Sequence, residues 1–204
     1  MSDLTARILV AAAMLAAVGV SSSSAQQPPT VRVRGTIEAV DGPMLTIKMR
    51  DGQDVKAKLA DKAMIVAVVK ASYADIKQGS FIGVTGMPQA DGSQKCMEIH
   101  IFPEAMRGTG EGHRPYFIPN STMTNGTAGN AVKAVDGDAI MVNYKGGEKK
   151  ILVPAGVPIV RYEIGDRSDL KPGAAFTIVS AVKKSDGSLE TSRVNVGRDG
   201  AVPQ

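Results

Sequence analysis

The chain repeats one order of short motifs, and this duplication constrains its fold more than any other feature of the sequence. The matching motifs are Ala-Val-Asp-Gly, Asp-(Ile/Leu)-Lys-x-Gly and Asp-Gly-Ser, and they follow one another in the same order twice. The pairs are 39–42 with 134–137, 75–79 with 169–173, and 91–93 with 186–188. Collinear matches at a nearly constant offset predict two copies of one module of about 70 residues.

Within each copy, alternating apolar and polar residues predict β-strands joined by tight turns. Leu45, Ile47 and Met49 alternate with polar neighbours, which places one face of that strand in a core and the other in water. Asp-Gly pairs between such runs favour the positive backbone angles of hairpin turns. Ser72 is a favourable N-cap residue for a single helical turn predicted over 73–77. The strands predicted for the first copy are 34–40, 44–50, 55–70, 81–87 and 94–102.

Three meandering strands, a helical turn and a hairpin follow the order of an OB-type five-stranded barrel. We therefore predict an all-β protein with two tandem five-stranded OB-like barrels, each with one short helical turn, after an N-terminal signal peptide. One continuous β-sandwich built from both copies is the alternative. The predicted units are the signal peptide at 1–25, the first barrel at 26–103, a Gly/Pro-rich inter-domain strap at 104–129 and the second barrel at 130–204.

The N-terminus predicts the compartment. Residues 8–20 form an apolar run that is shorter than the roughly 20 residues of a membrane-spanning helix. Small residues, Ser23 and Ala25, follow at the positions that signal peptidase recognises, so we expect cleavage after Ala25. The alternatives are an uncleaved anchor or a buried helix. We expect a periplasmic or secreted protein with no transmembrane segment in the mature chain.

Composition excludes several classes of site. The chain has one Cys and two His, which excludes an intramolecular disulfide, a multi-cysteine metal site and a three-histidine site. Its 24 basic and 20 acidic residues are interspersed and the aromatic residues are few, so nucleic acid is not expected as a partner. The chain lacks the motifs of nucleophile elbows, phosphate-binding loops and zinc proteases. We therefore expect neither an enzyme nor an obligatory cofactor.

The turn and strand motifs together resemble a known family. Gly-Thr-Ile-Glu-Ala-Val-Asp-Gly at 35–42 is followed by Asp-Ile-Lys-Gln-Gly-Ser-Phe-Ile-Gly-Val-Thr-Gly at 75–86 and Asp-Gly-Ser at 91–93. This pattern resembles a family of uncharacterised exported bacterial proteins with OB-like repeats, across essentially the whole mature chain. Residues 102–125 resemble one branch, some members of which are labelled as metal-transport components. The resemblance implies a barrel fold and, for this branch, metal handling.

Features that occur in only one copy are the better functional candidates, because the shared residues serve folding. On the fifth strand of the first copy we expect Met97, Ile99 and Ile101 to point inward, with Cys96, Glu98 and His100 on the opposite face. The second copy has Thr, Arg and Asn in place of Cys, Glu and His. The strap contributes further polar and aromatic residues. The predicted binding residues are Glu98, His100, Arg107, His113, Arg114 and Tyr116.

Two functions fit these residues. The first is an exported, non-enzymatic binding or scaffold protein of the bacterial cell envelope, with an unknown envelope protein or a small ligand as partner. Tyr116 and Phe117 would then form an apolar patch or pack the strap between the barrels. The alternative is a periplasmic accessory protein for copper or zinc, with His100 and His113 within about 4 Å of each other. Its further ligands would come from Glu98, Glu104, Glu111 and Met106. The sequence also leaves open a disulfide between two chains through Cys96.

Overall fold

The computed structural model describes residues 30–134 and 137–203, so the predicted signal peptide lies outside the described residues. The described chain is all-β, with twelve strands and three 3₁₀ turns of three residues each. No helix in these two ranges is long and apolar enough to cross a membrane. The strands are β1 (Thr30–Asp41), β2 (Met44–Met49), β3 (Asp54–Ala71), β4 (Phe81–Pro88), β5 (Gln94–Ile101), β6 (Gly112–Pro115), β7 (Thr122–Ala134), β8 (Gly137–Tyr144), β9 (Gly147–Val153), β10 (Ile159–Ile164), β11 (Ala175–Lys183) and β12 (Leu189–Gly197).

The strand boundaries follow the alternation of the sequence. In the hairpin of β1 and β2, Ile37, Leu45 and Ile47 are fully buried while Lys48 between such positions is exposed. Gly42 closes this hairpin with a φ of 55°, a conformation that glycine adopts without the steric cost of a side chain. The predicted helical turn at 73–77 is a shorter 3₁₀ turn, Tyr73–Asp75.

A closed five-stranded barrel joins strands from both copies. The pairings run β1–β2–β3–β12–β11 and return to β1. β3 and β12 are parallel, from Ala57 opposite Leu189 to Val68 opposite Gly197, whereas β1 is antiparallel to β11. The core of this barrel is formed by buried aliphatic residues and one phenylalanine, including Val33, Ile37, Leu45, Ile47, Phe176, Ile178, Val194 and Val196.

The expectation of one barrel per copy is not confirmed, because this barrel takes three strands from 26–103 and two from 130–204. A barrel made from the first copy alone would pair β1 with β4 and β3 with β5. The structure instead pairs β4 with β7, and β5 with β9 and β10. Equivalent strands of the two copies carry the same alternation, so either partner buries the same apolar face. The periodicity of the sequence therefore does not distinguish the two arrangements.

A second circuit of paired strands contains β4, β5, β7, β8 and β9. Its last pairing is short and parallel, with Gln94 opposite Ile151 and Lys95 opposite Leu152. These strands supply most of a second apolar cluster that includes Ile82, Val84, Ile99, Ile140, Val142 and Ile151. β10 joins the two circuits into one sheet, because it pairs antiparallel with β3 and parallel with β5. Consequently the two copies share one continuous hydrogen-bonded structure.

The strap predicted at 104–129 is a loop only in part. β7 begins at Thr122 and pairs with β4 from Thr122 opposite Gly86 to Thr127 opposite Phe81. On its other edge, the same part of β7 pairs with the short β6. The threonines of this run favour the extended backbone, although the absence of a counterpart after the second copy indicated a strap here. Half of the strap is therefore strand.

Candidate functional site

A cleft of about 330 Å³ lies where the two circuits of strands meet. Its walls come from β1, β5, β6, β7, β10, β11 and β12 and from the segments next to them, so both copies contribute. Three of the predicted binding residues, His100, Arg114 and Tyr116, line it. The cleft is also lined by Arg32, Arg193 and Asn195, which are not among the predicted binding residues.

Corresponding positions of the two fifth strands meet at this cleft. Arg193 and Asn195 on β12 stand in the second copy where Glu98 and His100 stand on β5 in the first. His100, Arg193 and Asn195 all line the cleft. The fifth strand of the first copy therefore contributes His100 to the cleft, and the matching strand of the second copy contributes Arg193 and Asn195. The substitution in the second copy was itself the signal that could have identified the other half.

These polar side chains are buried, although we expected an exposed strand face. The exposed fractions are 7% for Glu98, 4% for His100 and 3% for Asn195. β10 helps to cover this face, because its parallel pairing with β5 places Val160 opposite His100 and brings Tyr162 next to the imidazole. The rings of His100 and Tyr162 stack with centroids 5.0 Å apart and an interplanar angle of 20°. This part of the site is thus held by packing between β5 and β10.

Glu98 and His100 form a close but poorly aligned pair. Nε2 of His100 lies 3.1 Å from Oε1 of Glu98. Neither atom makes a hydrogen bond of ordinary geometry with any described residue. Since a buried carboxylate is costly unless it is well paired, this carboxylate keeps a strong capacity to accept a donor.

Arg193 is partly buried in the cleft. Its Nε donates a hydrogen bond to Oδ1 of Asn195 at 3.1 Å, and its guanidinium lies 6.0 Å from the ring centroid of Tyr162. Burial lowers the pKa of Arg193 below the ordinary value for arginine, while the field of Tyr162 acts in the opposite direction. Burial removes water from the guanidinium group, so an uncompensated positive charge is disfavoured at this position.

Arg32 and Arg114 reach the cleft from β1 and β6. Arg32 donates from Nη1 to the hydroxyl of Tyr116 at 3.2 Å and stacks on the ring of Phe117 at 3.9 Å. Arg114 donates from Nη1 to the carbonyl oxygen of Gly110 at 2.6 Å, which fixes the strap beside the cleft. Tyr116 is half-buried here, so the predicted apolar patch is covered in part by guanidinium groups.

Arg114 and Arg193 differ from several arginines outside the cleft because they have no carboxylate partner among the described residues. Within the described ranges, no carboxylate lies within 4.0 Å of the guanidinium of Arg114 or Arg193. Their positive charges are therefore available to a ligand. Three arginines outside the cleft form ion pairs: Arg107 with Glu104, Arg161 with Glu163, and Arg198 with Glu163 and Asp169.

His113 belongs to a different surface from His100. In the register of the sheet, Gly83 on β4 is opposite His100 on one side and Asn125 on the other. His113 on β6 is opposite Thr124, the residue just before Asn125. Successive side chains on a strand point to opposite faces, so the two imidazoles are separated by the sheet. The Nδ1 atom of His113 lies 2.8 Å from Oγ1 of Thr124, in a hydrogen bond.

The other predicted metal ligands are occupied elsewhere. Glu104 pairs with Arg107, and Glu111 accepts a hydrogen bond from the backbone of Lys145. Met106 is buried in an apolar cluster. No group of three or more His, Cys, Asp or Glu side chains in the described part of the chain is placed to hold a metal ion. Metal binding through the predicted ligands therefore stays a prediction, and the described residues do not bring those ligands together.

Cys96 lies in a core, although we placed it on the face of Glu98 and His100. The pairing of β4 with β5 skips Met97, since Thr85 is opposite Glu98 and Gly86 is opposite Cys96. This bulge turns Met97 outward and Cys96, only 4% exposed, inward. A disulfide between two folded chains through this thiol is therefore sterically blocked.

We expect Cys96 of the folded protein to resist thiol reagents. Burial raises the pKa of its thiol to about 12, so the reactive thiolate is scarce at pH 8. Titration with a chromogenic disulfide should detect less than a tenth of a thiol per chain within an hour under native conditions. One full thiol should appear in guanidinium chloride. Rapid reaction of the native protein would contradict the burial described here.

Comparison of the chain with family models, with curated proteins and with solved structures finds no match. The functional interpretation therefore rests on the geometry and charge of the cleft.

Proposed function

We propose that this chain is an exported, non-enzymatic binding protein of the bacterial cell envelope, whose cleft holds a small oxyanion. The observation that carries the proposal is the pair of cleft arginines, Arg114 and Arg193, without carboxylate partners in the described structure. Arg193 is partly buried, whereas Arg114 is exposed. A partly buried cation without a counter-charge is unfavourable, so a bound anion removes that cost at Arg193, and Arg114 supplies further donors. The planar guanidinium group suits carboxylate or phosphate oxygens in particular.

The size of the cleft limits the ligand. Small-molecule sites range over about 300–1,000 Å³, and the cleft has about 330 Å³. Its polar groups include the guanidinium groups of Arg32 and Arg193, the hydroxyl of Tyr116 and the amide of Asn195. A compact carboxylate or phosphate with several oxygen acceptors fits this set. Export rests on the predicted signal peptide at 1–25 and cleavage after Ala25.

The finer architecture is part of the proposal. We infer that each copy is an OB-like module and that the modules exchange their last two strands. Supporting this, the closed barrel combines β1–β3 with β11 and β12, and the second circuit combines β7–β9 with β4 and β5. Such an exchange accounts for a cleft lined by residues of both copies.

The function is tested by calorimetric titration of citrate and of inorganic phosphate into residues 26–204. We expect saturable binding of one anion per chain, with affinity that falls as sodium chloride is raised from 50 to 500 mM, because salt screens the guanidinium groups. Sodium chloride at matched ionic strength, titrated alone, provides the control for dilution heat. Absence of saturable binding of both anions at millimolar concentration would contradict the proposal.

A further inference from the structure

A second cavity, of about 200 Å³, lies beside the cleft and shares Tyr116 with it. Two charged residues line this cavity, Arg34 from β1 and Glu98 from β5. Its remaining wall is largely apolar and comes from the β5 bulge, the strap segment that follows β6 and the loop before β10. Met97, Phe117 and Ile118 are the large apolar residues of this wall.

The two charged groups face the same space without pairing. Their charged atoms are not within the 4.0 Å of an ion pair, although the field of Glu98 acts on Arg34. Nη2 of Arg34 is buried and has no acceptor among the described residues, and Oε1 of Glu98 has no well-aligned donor. Each group therefore has unmet hydrogen-bonding capacity in a buried setting, which is unfavourable without a ligand.

The surroundings of Arg34 also disfavour its positive charge. Burial and the neighbouring guanidinium groups of Arg32 and Arg50 lower the pKa of Arg34, while Glu98 and Tyr116 act to raise it. A negative group placed beside Arg34 would relieve this repulsion. A positive group placed beside Glu98 would likewise compensate a carboxylate that is only 7% exposed.

The apolar wall is exposed although its residues are large. Met97 is 38% exposed and Phe117 is 47% exposed. Met97 faces outward because of the β5 bulge, and bulges of this kind redirect side chains next to functional sites. Arg34 holds Phe117 in place by stacking 4.9 Å from its ring centroid. The wall therefore offers an ordered apolar surface next to two separated, opposite charges.

We propose that this cavity binds an apolar α-amino acid as its zwitterion. The ammonium group donates to Glu98, the carboxylate accepts from Arg34, and the aliphatic side chain packs against Met97, Phe117 and Ile118. The cavity is smaller than the roughly 300 Å³ at the low end of small-molecule sites, which suits a ligand of this size. This site goes beyond the proposed anion cleft and uses a different arginine.

The test is calorimetric titration of L-leucine into residues 26–204, beside two analogues that each lack one charge. These are 3-methylbutylamine, which has no carboxylate, and 4-methylpentanoate, which has no ammonium group. Each missing charge-assisted hydrogen bond should weaken binding by about tenfold or more. Absence of leucine binding at millimolar concentration, or equal binding of either analogue, would overturn the proposal.

Variants place the ligand in this cavity. Arg34→Gln and Glu98→Gln should each weaken leucine binding at least tenfold, and Phe117→Ala, an exposed change, should weaken it without altering the melting temperature. Lys95→Gln, exposed on the same strand as Glu98, should leave leucine affinity unchanged. If Glu98→Gln fails to fold, Arg34→Gln and Phe117→Ala still test the site, and full leucine affinity in both would refute it.

The two proposed sites can fail separately. Citrate binding without leucine binding would refute the amino-acid site and leave the anion cleft intact, whereas leucine binding without citrate binding would refute only the anion cleft.

Discussion

A disulfide between Thr36→Cys on β1 and Ala175→Cys on β11 is expected to form within one chain and to stabilise it by about 4–5 kcal/mol. Thr36 and Ala175 are direct partners in the antiparallel pairing of the two strands. Directly opposite residues have Cα atoms about 4.5–5.5 Å apart, within the range that a disulfide spans. The stabilisation is large because the bridge closes a long loop and so lowers the entropy of the unfolded chain.

The matched control places the second cysteine in the first copy. Phe81 begins β4 as Ala175 begins β11, each two residues after the glycine of its Asp-(Ile/Leu)-Lys-x-Gly motif. If each copy formed its own barrel, Thr36→Cys would bridge Phe81→Cys instead. Intact mass without reductant, and denaturant unfolding of each variant beside its reduced form, distinguish the two pairs. A bridge in the 36/81 variant but not in the 36/175 variant would contradict the strand exchange.

Arg193→Gln is expected to lower the affinity for citrate by about 10- to 100-fold, because a hydrogen bond to a charged group contributes about 1.5–3 kcal/mol. The same change should leave the free energy of unfolding of the ligand-free protein unchanged or slightly higher. The reason is that it removes a partly buried charge without a carboxylate partner in the described structure. Calorimetry gives the affinity, and urea unfolding gives the stability.

Arg161→Gln is the control for this prediction. Arg161 is an arginine on β10 that pairs with Glu163 at 3.3 Å and does not line the cleft. The change removes the same charge from the chain, so it separates local contacts from the effect of net charge. Equal loss of citrate affinity in both variants would show that binding depends only on net charge. A marked loss of stability in Arg193→Gln would instead assign Arg193 a structural role.

The sequence predicted the positions of the strands well and their partners poorly. β2, β4 and β5 lie within one residue of the predicted ranges, because alternation and Asp-Gly turns are local signals. Whether β1 pairs with β4 or with β11 depends on contacts across the whole chain. The recurring motifs make both partners equally compatible with the pattern, and the prediction chose the partner that is nearer in sequence. The second half of the strap was mistaken for a loop for a related reason, since its partner β4 is distant in sequence.

The candidate site was predicted in part. Four of the predicted binding residues line the cleft or its side cavity: Glu98, His100, Arg114 and Tyr116. They could be predicted because the first copy differs from the second at the fifth strand and in the strap. His113 was grouped with His100 by proximity in sequence, but the register places them on opposite faces. The other half of the cleft comes from the exchanged strand β12. The substitutions at Arg193 and Asn195 mark β12 as a candidate, but no local pattern in the sequence indicates that β12 lines the same cleft as β5.

The most direct test of the central claim, that a cleft built from both copies binds an oxyanion, is a crystal structure of residues 26–204 grown with selenate. Anomalous scattering from selenium locates the anion without ambiguity. We predict one selenate per chain in the cleft, with oxygens within hydrogen-bond distance of Arg193 and of Arg32 or Arg114. An empty cleft in crystals that bind selenate only at surface lysines would contradict the account.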